Sequence, residues 1–189
     1  MKNAIILHGL VERDEYYDAA APSPSNSHWL PWLQKQLLLN EIKADLPEVP
    51  RTYEMSWENW VREVERFDLT PETILVGHSM GGGFWVRYLS EHPELKVAKV
   101  VLVAPWLNRS HEEATDFFDF EFRPEIAAQT QEITIFSSDN DSKDVQDSVS
   151  FLRAELPSAK ITEFHEYGHF CLADMNTEAF PELLAEILG

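Results

Sequence analysis

One cysteine, Cys171, occurs in 189 residues, which excludes an intrachain disulfide and a cysteine-based metal cluster. Basic residues are scarce: 15 Lys and Arg stand against 33 Asp and Glu, a formal charge of -18. Phosphate recognition needs clustered positive charge, so this balance argues strongly against nucleic acids and anionic membrane surfaces as partners. Long apolar runs are missing as well. Nothing approaches the roughly 20 residues that span a bilayer, and the early run Ala4-Ile5-Ile6-Leu7 is too short for the core of a signal peptide. A cytoplasmic location is the expectation these absences leave. No Gly/Ser-rich or charged linker and no internal repeat divides the chain, so a single domain over residues 1–189 is expected.

What is present is a hydrophobic fraction of 44% and six tryptophans, the composition of a globular domain with a filled core. The chain is organised around Gly77-His78-Ser79-Met80-Gly81. Before it stands the β-branched and apolar run Thr73-Ile74-Leu75-Val76, and after it Gly82 to Leu89 carries apolar residues at helical spacing. Strand, tight turn and helix in that order make a GxSxG nucleophile elbow, whose small residues let strand and helix approach closely. Ser79 must then adopt a strained backbone that lifts its hydroxyl clear of the sheet, at a helix N-terminus that favours developing negative charge.

Strands alternate with helices along the rest of the chain. Ala4 to Leu7, Ile42 to Leu46, Val97 to Ala104, Ile133 to Phe136 and Ala159 to Phe164 read as further strands. Helices are expected at Trp29 to Leu39, with Ser27 or His28 as cap, at Trp57 to Phe67 with Ser56 as cap, at Val145 to Leu156 and at Phe180 to Leu188. This predicts an α/β-hydrolase fold, a mostly parallel sheet of about six strands covered by helices on both faces. Two connections are long. Residues 11–27 form a polar loop that is mobile or rims a site, and 105–129, with Phe117, Phe118, Phe120 and Phe122 among acids, is either a small lid or a surface segment packing its rings into the core.

A serine hydroxyl needs a base and the base an orienting acid, and on this fold they follow in the order Ser, Asp, His from loops at strand C-termini. Ser79, Asp141 and His169 satisfy that order. Asp139 and Asp144 compete with Asp141, and spacing does not separate the three. The oxyanion donors expected by the same logic are the backbone N–H groups of Met80 and of Leu10, in the His8-Gly9-Leu10 turn after the first strand; the His8 side chain itself reads as a turn residue. A calcium loop at 139–144 is disfavoured by Lys143 in a ligand position and by the lack of a following glycine. His165-Glu166-Tyr167-Gly168-His169 fits the HExxH zinc pattern. That pattern works from one helical face, however, whereas here a strand ends near Phe164 and Gly168 costs a helix about 1 kcal/mol. No metal or organic cofactor is therefore called for. Trp29, Trp32, Trp106 and the lid phenylalanines, Phe117 among them, line a substrate pocket or belong to the core.

His8-Gly9, His28-Trp29-Leu30-Pro31-Trp32-Leu33, Gly77-His78-Ser79-Met80-Gly81, Ser138-Asp139-Asn140-Asp141 and Gly168-His169-Phe170 together resemble the small YdeN-like serine hydrolases, the family that includes retinoblastoma-binding protein. The resemblance runs over nearly the whole chain. It implies hydrolysis of a small ester or amide by a triad of Ser79, Asp141 and His169, Asp141 being preferred because the last acid of this loop carries the role in that family. Ser142-Lys143 depart from the proline or bulky residue relatives often have there. The resemblance also raises an alternative, a protein-binding module with vestigial activity, but the LxCxE sequence associated with the retinoblastoma-binding member is absent and that partner is not carried over.

Overall fold

In the computed structural model, which describes residues 2–111 and 113–189, six strands form one sheet. They are β1 (Asn3–Leu7), β2 (Lys43–Asp45), β3 (Thr73–His78), β4 (Lys99–Val103), β5 (Ile133–Ser138) and β6 (Lys160–Phe164), in the order β2-β1-β3-β4-β5-β6. Every neighbouring pair is parallel. Among the described residues seven α-helices accompany them: α1 (Arg13–Tyr16), α2 (Leu30–Leu39), α3 (Trp57–Val64), α4 (Met80–Glu91), α5 (Lys143–Glu155), α6 (Leu172–Met175) and α7 (Pro181–Leu188). None is long and apolar enough to cross a membrane, among the described residues.

The four inner strands are largely buried on both faces because both are covered, whereas the edge strands β2 and β6 expose Lys43, Lys160 and Glu163. Side chains alternate along each strand, so Ile5, Leu7, Leu75, Val100, Leu102 and Ile135 enter one core with Trp60 of α3, Phe84 and Trp85 of α4, and Leu152 of α5. Ala4, Ile6, Ile74, Val76, Val101 and Val103 enter the other, with Leu33 of α2, Leu183 of α7, and Trp29 and Phe180 just before those helices. Each of these aromatic rings is fully buried, and a large-to-small substitution at such a site costs about 3–5 kcal/mol.

Local expectations are adjusted at the helix ends. The α2 N-cap is Trp29, with no side-chain cap bond, and Pro31 falls in the first turn where no N–H is lost; neither Ser27 nor His28 caps it. Ser27 instead donates its hydroxyl to the Ser23 carbonyl. Ser56 does cap α3, accepting from the Asn59 N–H. The 11–27 connection contains α1 and a 3-10 turn at Pro24–Asn26.

The order of the strands places the site. After β1 the chain crosses to β2 on one side, then returns to lay β3 on the other, so the connections leaving β1 and β3 diverge at their C-terminal ends. Such a switch point opens a crevice in an open parallel sheet. Gly77 and Gly81 keep that crevice tight: a Cβ on Gly77 would stand 2.5 Å from the Gly81 carbonyl oxygen, and one on Gly81 would stand 2.4 Å from that of His8.

Candidate active site

Ser79 joins β3 to α4 with φ 53° and ψ -120°, a conformation that costs a non-glycine residue of order 1–3 kcal/mol. Packing over-determines it. The Ser79 N–H donates to the Val103 carbonyl (2.9 Å), and the Ser79 carbonyl accepts from the N–H groups of Gly83 and Trp106, each at 3.1 Å. A cavity of about 550 Å³ opens over it, bordered by Leu10, Ser79, Trp106, Asp141 and His169 among others.

The loops after β5 and β6 are fastened to each other. Asn140 Oδ1 accepts from the Ser138 hydroxyl and the Gly168 N–H, both at 2.7 Å, and Ser138 Oγ accepts from the Tyr167 N–H (2.9 Å). This brings His169 Nδ1 to 3.0 and 2.9 Å from the two carboxylate oxygens of Asp141. The Asp141 side chain is 3% exposed and that of His169 31%. An imidazole that donates from Nδ1 carries its lone pair on Nε2. The backbone around it is also held, with the His169 N–H donating to Asp174 Oδ2 (3.0 Å) and its carbonyl bonded to His78 Nε2 (2.8 Å).

The three competing acids have separate partners. Asp139 accepts from the Glu166 N–H (2.9 Å) and pairs with His165 Nδ1 (2.5 Å). Those two contacts, the amide first, hold its carboxyl below the usual range, and Asp139 in turn raises His165. Asp144 accepts from the Trp106 indole N–H and from the Ser110 N–H. Only Asp141 meets His169. The HExxH residues form a turn with Glu166 at φ 60° and Gly168 at φ 53°, so His165 and His169 face different carboxylates. Among the described residues no three His, Cys, Asp or Glu side chains converge as a metal site would require.

Met80 is the first residue of α4, where an N–H has no intrahelical acceptor. Leu10 follows the β1 turn and borders both the large cavity and a smaller one beside Ser79. Among the described residues neither amide donates to a protein acceptor. Of the aromatic residues expected against substrate, Trp106 borders the cavity. Trp29 and Phe117 do not, and that expectation is corrected: both are fully buried, Trp29 against His78 and Phe180, Phe117 against Trp57, Trp60 and Phe84. The stretch around Phe117 is tied down by Arg87, whose guanidinium donates to the carbonyls of Asp116 and Phe117. Phe118, Phe120 and Phe122 pack against the same core.

Three buried or half-buried histidines carry contacts that the sequence reading did not assign: His8 reads there as a turn residue, His28 as a candidate helix cap and His78 as part of the elbow. His8 accepts from the Val49 N–H at Nε2 (3.0 Å) and donates from Nδ1 to the Gly9 carbonyl (2.8 Å). His28, at φ 57°, accepts from the Leu172 N–H at Nδ1 (3.1 Å). His78 stacks obliquely on His169 with ring centroids 5.0 Å apart. Burial, and for His28 and His78 the neighbouring His169, lowers all three below the ordinary histidine value, His78 well below it. The signal for His78 was its place beside the nucleophile; nothing in spacing marked His28.

A six-stranded parallel sheet with an elbow serine at its switch point is an α/β-hydrolase fold. The chain belongs to the serine hydrolase family, whose model matches residues 21–186. It is 29% identical to the YdeN protein of Bacillus subtilis (strain 168) over 186 residues, 89% of this chain and 86% of that one. The crystal structure of the B. subtilis ydeN gene product superposes with a TM-score of 0.83 at 23% identity, covering 100% of this chain and 97% of the other. Est1E from Butyrivibrio proteoclasticus shares the fold, with a TM-score of 0.69 at 12% identity over 99% of this chain and 86% of its own.

Proposed function

We propose that this hydrolase cleaves small esters or amides through an acyl-enzyme on Ser79. The observation that carries the reading is the pair of hydrogen bonds from His169 Nδ1 to Asp141 beside an elbow serine at φ 53°. Asp141 fixes the tautomer that leaves Nε2 free to act as base. Ser79 Oγ attacks the carbonyl carbon while its proton passes to His169 Nε2. The N–H groups of Met80 and Leu10 receive the oxyanion, and such donors are worth about 3–4 kcal/mol each in related chemistry. Collapse breaks the bond to the leaving group, which takes the proton from His169. Water, deprotonated by the same imidazole, then attacks the acyl carbon and releases Ser79 and a carboxylic acid. Every proton in this cycle is carried by His169, and no cofactor enters it.

The test is reaction with a fluorophosphonate, read by intact mass and peptide mapping. A single adduct on Ser79 that withstands chelator and is lost in Ser79→Ala is the expected result. Unmodified, folded protein overturns the reading in favour of a hydrolase-fold binding module.

A further inference from the structure

Two cavities meet at Ser79 and His169. The one of about 550 Å³ is open and has Trp106, Val145 and Asn140 in its wall. The other, of about 50 Å³, is narrower and more enclosed, lying between the β1 turn and the segment before α2, with Val11, Pro24, His28, His78 and Cys171 around it. We propose that the enclosed cavity is the acyl pocket and restricts the enzyme to acyl groups of two or three carbons, the leaving group occupying the open cavity. The inference rests on Ser79 being the nucleophile, as proposed above.

Volume sets the limit. A water molecule takes up about 30 Å³ in the liquid, and a methyl group is of similar size. The enclosed cavity therefore holds one or two carbons beyond the carbonyl. The direction follows from what each half of the substrate must do. The acyl group stays bonded to Ser79 until hydrolysis and needs no exit, whereas the leaving group must depart and water must take its place beside His169. The wider, more open cavity provides that route.

The small cavity is also poorly able to stretch. His78 is fixed by its bond to the His169 carbonyl and His28 by the Leu172 N–H. On the side of the β1 turn, Gly9 lies so close that a Cβ there would stand 3.0 Å from Ser79 Cβ. Extra methylenes in a packed, fixed site are rejected rather than accommodated.

The experiment compares p-nitrophenyl acetate, propionate, butyrate and hexanoate, whose intrinsic reactivities are close, on the full chain. The expected result is a fall in kcat/KM of at least tenfold between propionate and hexanoate. Val11→Ala and, separately, Cys171→Ala should raise the butyrate-to-acetate ratio at least fivefold, so one variant that does not fold leaves the other to decide. A profile that is flat or rises to hexanoate overturns the acyl-pocket assignment while leaving Ser79 as nucleophile. Turnover at no chain length, with no fluorophosphonate adduct on Ser79, overturns the nucleophile and the pocket together.

Discussion

His78 Nε2 lies 2.8 Å from the carbonyl oxygen of His169, so the residue before the elbow serine holds the backbone of the proposed base 91 positions later. Burial keeps the His78 imidazole neutral, with His169 and His28 adding to the effect, and the neutral ring donates from Nε2 to that carbonyl. In the proposed mechanism His78 acts through His169 as a positioning residue. Displacement of a reacting group by about 1 Å costs on the order of 100-fold. His78→Ala should lower kcat 10- to 100-fold with little change in KM, and His78→Gln, which keeps a donor, should recover part of the loss. Rates within twofold of the parent for both variants would remove this role.

Stability should fall as the solution is acidified through the histidine range. His8, His28 and His78 are each held below the ordinary histidine value of 6.5 in the folded state, so below pH 6.5 the unfolded chain binds more protons than the folded one. Their contribution is complete above pH 6.5 and is lost as pH falls toward the folded-state values. Each proton taken up on unfolding contributes up to about 1.4 kcal/mol per pH unit. Thermal melts between pH 7.5 and 5 should show Tm dropping below pH 6.5, more gently in His78→Gln. A Tm constant down to pH 5 contradicts the assignment of neutral buried histidines.

The acids of the β5 loop have separate partners, and the proposed mechanism makes their variants differ in activity. Asp141→Asn should reduce kcat by roughly 10³- to 10⁴-fold, because the amide no longer holds the His169 tautomer. Asp139→Asn, which changes a carboxylate bonded to His165 and the Glu166 N–H, should stay within a few-fold. Asp144→Asn loosens Trp106 and the Ser110 amide, and losing about one hydrogen bond at the cavity wall should raise KM by roughly 2- to 10-fold. Steady-state kinetics of the three variants decide it. A large kcat loss in Asp139→Asn with Asp141→Asn unaffected would reassign the acid.

The sheet and the elbow were legible because each rests on local pattern. Thr73 to Val76 followed by glycines at 77 and 81 leaves few other conformations, and period-two burial on both faces of β1 and β3 needs continuous apolar runs. The choice among Asp139, Asp141 and Asp144 was not local. It depends on Asn140 and Ser138 pinning the loop after β6, a contact no periodicity encodes. Trp29 and Phe117 stayed open between pocket and core for the same reason: a tryptophan or phenylalanine fills a core or lines a pocket with the same sequence signal, and only the packing of His78 and Trp60 against them decides. Asp174, which ties down the N–H groups of His169 and Cys171, was equally silent.

Cys171 gives the enclosed cavity a chemical handle. Its thiol is pushed up to about 12, by burial first and then by Asp174, Asp141 and Glu15. Since the thiolate is the nucleophile, a thiol raised this far is almost wholly in its unreactive protonated form at pH 8. Iodoacetamide should therefore label the folded protein at least 100-fold more slowly than the protein in urea, despite the partial exposure of the residue. Because Cys171 borders the enclosed cavity together with Ser79 and His169, prolonged alkylation should abolish short-chain ester turnover in proportion to the mass-shifted fraction, since the added carbamidomethyl group is itself as large as the acyl chain the cavity accommodates. Rapid native labelling would show that the thiol is not held in its protonated form. Full activity in the alkylated enzyme would separate Cys171 from the path of the acyl group.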